Sequence, residues 1–199
     1  MNELLGCGIY VILNKKLNIV YVGQTRVNFL IRWLEHLKRI EKYEHDLHRL
    51  LLYIDPDTRY IIVKNIDRSK ELEFYTFELE AIEFYKERNW IVVSQPTNRK
   101  RAGSEYTPNI VTRYKRMIYH MVTFLGTVEM KENYTGRLYR QLYRKIDKQF
   151  RTDVYTRSKG NKILDILTTE EMEYILMDLY PRYEAKKVAV GRRRYKDWF

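Results

Sequence analysis

Two tyrosines separated by ten residues are the first groups in the chain whose spacing could do chemistry. They stand in Gly8-Ile9-Tyr10 and Tyr21-Val22-Gly23, within β-branched and aromatic runs that read as the two strands of a hairpin. On a hairpin of this kind both phenols can lie side by side on one face. Arg32 and His36 follow at i and i+4, so they project from one face of a helix whose apolar side is Leu30, Trp33 and Leu37. A guanidinium can clamp a phosphate and an imidazole can move a proton, so the four groups together have the makings of a phosphate-handling site. Taken singly, each pair is ordinary. Strands favour tyrosine, this chain has 18 of them, and an Arg–His pair on a helix is most often a solvated face.

The elements that must position these groups follow from hydrophobic periodicity. Residues 8–13 and 19–22 read as strands around the polar turn Asn14–Asn18. Helical spacing then runs from Asn28 to about Leu52, too long for one helix, with a break near Tyr43–Glu44. Asp55-Pro56-Asp57 is a turn, Tyr60–Val63 a third strand, and a helix begins at Ser69 with Phe74, Phe77, Ala81, Ile82 and Tyr85 on its apolar side. Trp90–Val93 reads as a further short strand. Asn98–Ser104 is basic, small and turn-forming, a linker. Beyond it the spacing predicts helices over 109–125, 134–150 and 169–180, and Gly191–Lys196 reads as a basic tail.

With the elements in place, Gly-Ile-Tyr, Tyr-Val-Gly-Gln-Thr and Arg32-Trp33-Leu34-Glu35-His36 resemble the GIY-YIG nuclease family over about residues 6–100. The resemblance implies an α+β fold: a small three-stranded antiparallel sheet flanked by helices, here followed by a mainly helical basic domain. It also implies a metal-binding glutamate on the helix after the third strand. The family pattern places an apolar residue and an isoleucine three and four positions after it, which Glu78 meets with Ala81 and Ile82; Glu80 is the second choice. Gln95-Pro96-Thr97-Asn98 resembles the family's terminal asparagine element with one residue missing, and His45 matches a second histidine present in some members. The implied site is therefore Tyr10, Tyr21, Arg32, His36, Glu78 and Asn98. The implied cofactor is Mg²⁺ or Mn²⁺ on Glu78, since one carboxylate suits an ion that keeps most of its waters. Tyr10, an unfavourable base at a pKa of about 10, would need cationic help from His36 or the metal; Tyr21 would orient water or phosphate.

Charge adds a second functional signal. The 199 residues carry 37 Lys+Arg against 26 Asp+Glu, a net of +11, unevenly spread: 16 against 14 in residues 1–100, and 21 against 12 in residues 101–199. A near-neutral catalytic domain (1–100) and a strongly basic domain (101–199) that holds a polyanion follow from this division. In 137–151, Arg137, Arg140, Arg144, Lys148 and Arg151 fall on one helical face while Leu138, Leu142, Ile146 and Phe150 fall opposite. That cationic stripe, with Arg113, Lys115 and Arg116, is the expected phosphate contact. At 45% hydrophobic residues the chain can build a core, and no apolar run is long enough for a membrane span. The single Cys7 excludes an internal disulfide and a Cys-based zinc site, and points to a reducing, cytoplasmic setting.

These signals lead to a metal-dependent DNA endonuclease with an N-terminal catalytic module. The short hairpin spacing is more similar to the homing, phage or repair branches than to restriction enzymes. Two other readings compete: a non-catalytic nucleic-acid-binding protein on a nuclease scaffold, and a nuclease acting on RNA, because phosphate chemistry does not separate the sugars. Sequence is silent on oligomeric state.

Overall fold

The computed structural model describes residues 3–43, 45–94, 110–129 and 133–195. Asn98, the linker over 98–104 and Lys196 lie outside the described residues. Met1–Tyr106 together with Lys187–Phe199 form one compact unit, and Thr107–Lys186 form a second.

The first unit is built on a sheet. Strands β1 (Gly8–Asn14) and β2 (Ile19–Thr25) make the predicted hairpin, with Asn18 at φ 55° closing the turn in the left-handed conformation that asparagine tolerates. Strand β3 (Arg59–Asn65) pairs antiparallel with the other edge of β1. The two-residue β4 (Ile91–Val92) runs parallel to β2, giving the order β3-β1-β2-β4. The α+β architecture is the expected one, with β4 turning the three-stranded antiparallel core into a mixed sheet of four. Every residue of β1 is buried, as befits a central strand. Gly8 is obligatory at its start: its φ is +148°, and a Cβ there would sit 1.9 Å from the Lys64 carbonyl oxygen.

The alternation of side chains divides this sheet into two faces. Ile9, Val11, Leu13, Val20 and Val22 pack with Phe74 and Ile82 of helix α3 (Glu71–Lys86). Tyr10, Ile12 and Tyr21 point the other way, toward α1 (Phe29–Lys38) and α2 (Leu47–Ile54). The long periodic stretch does break where sequence expects it. Asn28 caps α1 by accepting from the Ile31 amide at 2.8 Å; a 3₁₀ turn, Ile40–Tyr43, follows; then Asp46 caps α2 through the Arg49 amide at 3.1 Å. Helix α3 starts two residues later than Ser69, because Asp67 accepts from both the Ser69 amide (2.9 Å) and its hydroxyl (2.7 Å), holding a turn in place of a helical start.

The second unit is helical: α4 (Ile110–Glu129), α5 (Tyr134–Phe150), the short α6 (Val154–Ser158) and α7 (Ile163–Ile166), and most of α8 (Thr169–Arg194). Its core is formed from Tyr114, Ile118, Met121, Leu142, Ile146, Met172, Leu176 and Tyr183, among others. The spacing expectation for α8 stops at 180, before Pro181, and leaves Gly191–Lys196 as a tail. The helix instead continues through Pro181 to Arg194. An interior proline costs about 3 kcal/mol, but Tyr183, Lys187, Gly191 and Tyr195, four residues apart in turn, are all buried and hold the helix on. The last turns belong to the first unit. Lys187 pairs with Glu41, the Arg192 Nε donates to the Ile54 carbonyl, and Gly191 approaches so closely that a Cβ would stand 2.8 Å from Ile54 Cγ2. Arg192 is thus a fixed structural contact and not part of a loose polycation.

Candidate active site

The hairpin register explains how two tyrosines come to share a face. Tyr10 stands opposite Gly23 and Tyr21 opposite Ile12, so the two phenols are diagonal neighbours with ring centroids 6.1 Å apart. Gly23 is what leaves room. A Cβ at that position would lie 2.5 Å from the Tyr10 hydroxyl, 2.6 Å from its Cζ and 2.7 Å from Tyr21 Cε1. Tyr10 is fully buried, stacked on Tyr60 at 5.0 Å and edge-on to Phe29 at 6.4 Å.

Helix α1 delivers Arg32 and His36 to the same point. The Tyr10 hydroxyl accepts from Arg32 Nε at 3.0 Å and lies 2.7 Å from His36 Nε2. The other imidazole nitrogen, Nδ1, is 2.9 Å from the Tyr53 hydroxyl on α2. Electrostatics select the proton positions. Burial first, then Arg32, Arg39 and Arg49, hold the His36 pKa well below its ordinary value, so the ring is neutral near pH 7. Burial, reinforced by Tyr21, pushes the Tyr10 phenol well above its ordinary value even though Arg32 opposes it. Tyr10 therefore donates to His36 Nε2 while accepting from Arg32, and His36 Nδ1–H donates to Tyr53. His36 is thus not the cation that sequence enlists to acidify Tyr10. At rest it is a neutral hydrogen-bond acceptor for the phenol, because burial and three arginines disfavour its charged form.

The remaining predicted residues divide into those at this cluster and those away from it. Tyr21 is half-buried with its ring edge-on to His36 at 4.9 Å, and its hydroxyl has no protein partner among the described residues. Arg32 also reaches Glu35 Oε2 at 3.2 Å, with 28% of its side chain exposed. Glu78 is buried on α3 and accepts from Gln24 Nε2 at 3.0 Å; Gln24 stands opposite Ile9, so its side chain falls on the α3 face of the sheet, away from the face that carries Tyr10 and Tyr21. Glu80, two residues on, is exposed and lines a different cleft with Ile9, Val63 and Phe84. His45 is exposed on the turn before α2. Gln24 belongs to the Tyr-Val-Gly-Gln-Thr motif but carries no role in the sequence reading, and Tyr53 has no signal there, since a tyrosine on an amphipathic helix has no motif of its own.

Among the described residues no group of three or more His, Cys, Asp or Glu converges, and Glu78 is the residue that could hold a divalent cation. The Glu78 carboxylate, with the Gln24 amide nitrogen donating to it, offers a single hard-oxygen ligand. It fits Mg²⁺ that keeps several waters and does not fit a zinc cage.

In the second unit, α5 turns Leu138, Leu142, Tyr143 and Ile146 inward and leaves Arg137, Arg140, Arg144 and Lys148 exposed. These four, with Gln141 and Lys145, line a groove of about 470 Å³. Arg151 is exposed at the helix end in the left-handed conformation (φ 51°). Lys115 and Arg116 do not join that groove; with Tyr119 and Tyr143 they line a separate cleft, and Lys115 reaches Asp165 at 3.0 Å. Arg113 is half-buried on α4. No described helix is long and apolar enough to cross a membrane.

Compared with known proteins, residues 6–100 match the family model of the GIY-YIG catalytic domain. No curated protein and no solved structure matches the chain.

Proposed function

Residues 6–100 belong to the GIY-YIG catalytic-domain family, a nuclease family that generally depends on a divalent metal, and from that premise we propose that this chain is a Mg²⁺-dependent DNA endonuclease. The observation that carries the reading is the Tyr10 hydroxyl set between an arginine donor and a neutral histidine acceptor, at 3.0 and 2.7 Å. A structural core tyrosine needs one partner; this one has a partner on each side, of the types that bind phosphate and take up a proton.

Hydrolysis of a phosphodiester needs an activated water and stabilisation of charge on the phosphoryl and leaving oxygens. Arg32 binds the scissile phosphate, using the guanidinium nitrogen engaged with neither Tyr10 nor Glu35. Tyr10 takes a proton from the attacking water as it passes its own to His36 Nε2, so the phenolate does not accumulate; the imidazolium so formed, disfavoured by burial and the three arginines, is transient and returns its proton through Tyr10 to the leaving oxygen. Tyr21 presents its hydroxyl to the water or phosphate. Glu78 would hold Mg²⁺ or Mn²⁺, which would supply charge neutralisation at the phosphate. Asn98 remains a candidate on sequence alone. The exposed arginines of α5 grip the nucleic-acid backbone, and the branch nearest to this chain is the homing, phage or repair type. Cytoplasmic location stays an inference from the lone, reduced Cys7.

Incubation with plasmid, branched and single-stranded DNA and with RNA, with and without Mg²⁺, tests the proposal. Metal-dependent ends on DNA support it. Binding without any cleavage assigns the chain to the non-catalytic reading, and cleavage of RNA alone to the third.

A further inference from the structure

The second unit holds a cleft that its cationic groove does not explain. It lies among α4, α5 and α7, has a volume of about 500 Å³, and falls in the roughly 300–1,000 Å³ range of sites that take small ligands. Its walls combine two chemistries. Tyr119, Tyr139 and Tyr143 supply aromatic faces: Tyr139 and Tyr143 are stacked at 5.8 Å and 26°, and Tyr119 stands 63% exposed. Lys115, Arg116 and Lys162 supply cations at the rim. The one acidic neighbour, Asp165, is answered by Lys115 at 3.0 Å, while Arg116 and Lys162 are exposed and form no ion pair among the described residues. The exposed face of Tyr119 and the two cations beside it are open to a ligand from solvent.

We propose that this cleft takes an unpaired nucleotide, its base laid against Tyr119 and Tyr139 and its phosphate held by Arg116 and Lys162. The proposal rests on the nucleic-acid reading above and adds a substrate preference to it. Aromatic faces reward a base only when it has left its stack, at about 1–3 kcal/mol per base. A paired duplex offers such a cleft nothing but phosphates, which the α5 groove already serves without regard to base pairing. Two sites therefore divide the work. The groove of Arg140 and Arg144 holds backbone, and the cleft selects substrates with an extrahelical or single-stranded residue, such as bulges, flaps or branch points. Positive rim charge disfavours a cationic partner, and the flat tyrosine pair is shaped for a ring rather than for an extended side chain.

The test is fluorescence anisotropy of the full chain, with EDTA present to prevent cleavage, on a 20-base-pair duplex and on the same duplex carrying one bulged nucleotide. The expected result is tighter binding to the bulged DNA, and a loss of at least about fivefold on that substrate alone in Tyr119→Ala. Tyr119→Trp should restore it, since stacking needs only a ring. Arg140→Ala with Arg144→Ala should weaken both substrates by the same factor. Tyr119 is exposed, so its replacement leaves the fold intact, as circular dichroism would verify. Equal binding of the two DNAs, or equal losses in Tyr119→Ala, overturns the cleft and leaves the nuclease reading standing. Failure to bind either DNA overturns both. A dimer in sedimentation that Tyr119→Ala dissociates also overturns it, by assigning the cleft to a second copy of the chain.

Discussion

Replacing Gly23 by alanine puts a methyl carbon 2.5 Å from the Tyr10 hydroxyl, 2.6 Å from Tyr10 Cζ and 2.7 Å from Tyr21 Cε1. Comfortable contact begins near 3.5 Å, so the Tyr10 ring must retreat by roughly 1 Å. It has nowhere easy to go: Tyr60 is stacked behind it at 5.0 Å, and Phe29 stands against its edge. A retreat of that size stretches the bonds to His36 (2.7 Å) and Arg32 (3.0 Å) beyond hydrogen-bonding range. Overpacking of this kind costs about 1–3 kcal/mol in stability. A catalytic group displaced by about 1 Å loses on the order of 100-fold in rate. Two assays read these separately: urea denaturation for the first, and the initial rate of plasmid nicking with saturating Mg²⁺ for the second. Gly136→Ala is the control, because a Cβ there meets nothing within 4 Å on an exposed helical turn, and it should stabilise by about 0.5–1 kcal/mol. If Gly23→Ala nicks at the wild-type rate, the tight Tyr10 arrangement is not what the reaction uses.

Three further outcomes follow from the same geometry. The folded pKa of His36 lies below its unfolded value of about 6.5, so its contribution to stability is complete above pH 6.5 and is lost as pH falls below that; His36→Gln should flatten this part of a pH–stability curve measured by thermal melting. Arg157 clasps the buried Glu171 carboxylate with bonds of 2.7 and 2.8 Å, and Arg157→Ala strands that charge. Because the arginine side chain is 35% exposed, the expected loss in urea denaturation is about 2–3 kcal/mol, less than for a sealed pair. Binding to duplex DNA should weaken linearly with the logarithm of salt, and Arg140→Ala with Arg144→Ala should reduce that slope by roughly 2, one unit per phosphate contact removed.

Local patterns carried much of the fold. The hairpin around Asn14–Asn18, the break before Asp46 and the helices α4 and α5 lie close to where turn chemistry and periodicity place them, since each depends on near neighbours in sequence, whereas the short α6 and α7 carry too few turns to show a period. The extension of α8 past Pro181 was hidden because it depends on Glu41, Ile40 and Ile54, about 140 residues away in the chain. The site shows the same division. Spacing brings Arg32 and His36 to one face of α1, and the hairpin brings Tyr10 beside Tyr21. The charge state of His36 depends on Arg39 and Arg49 and on burial, and its tautomer on Tyr53, none of which a motif records. The choice of Glu78 over Glu80 came from a family pattern; the helix then separates the two, one buried beside Gln24 and the other exposed in a different cleft. On α5 the amphipathic pattern was legible directly. The grouping of Lys115 and Arg116 with it was not, because those residues belong to α4 and face the tyrosines.

The central claim is that Tyr10, between Arg32 and His36, moves the proton in metal-dependent phosphodiester cleavage. The most direct measurement is the Mg²⁺-dependent nicking rate of Tyr10→Phe, a change that removes one oxygen and keeps the buried ring. The expected result is a fall of about 10²–10⁴-fold, the range for loss of a general acid–base group, with DNA binding in EDTA unchanged. Nicking by Tyr10→Phe at the wild-type rate would contradict it.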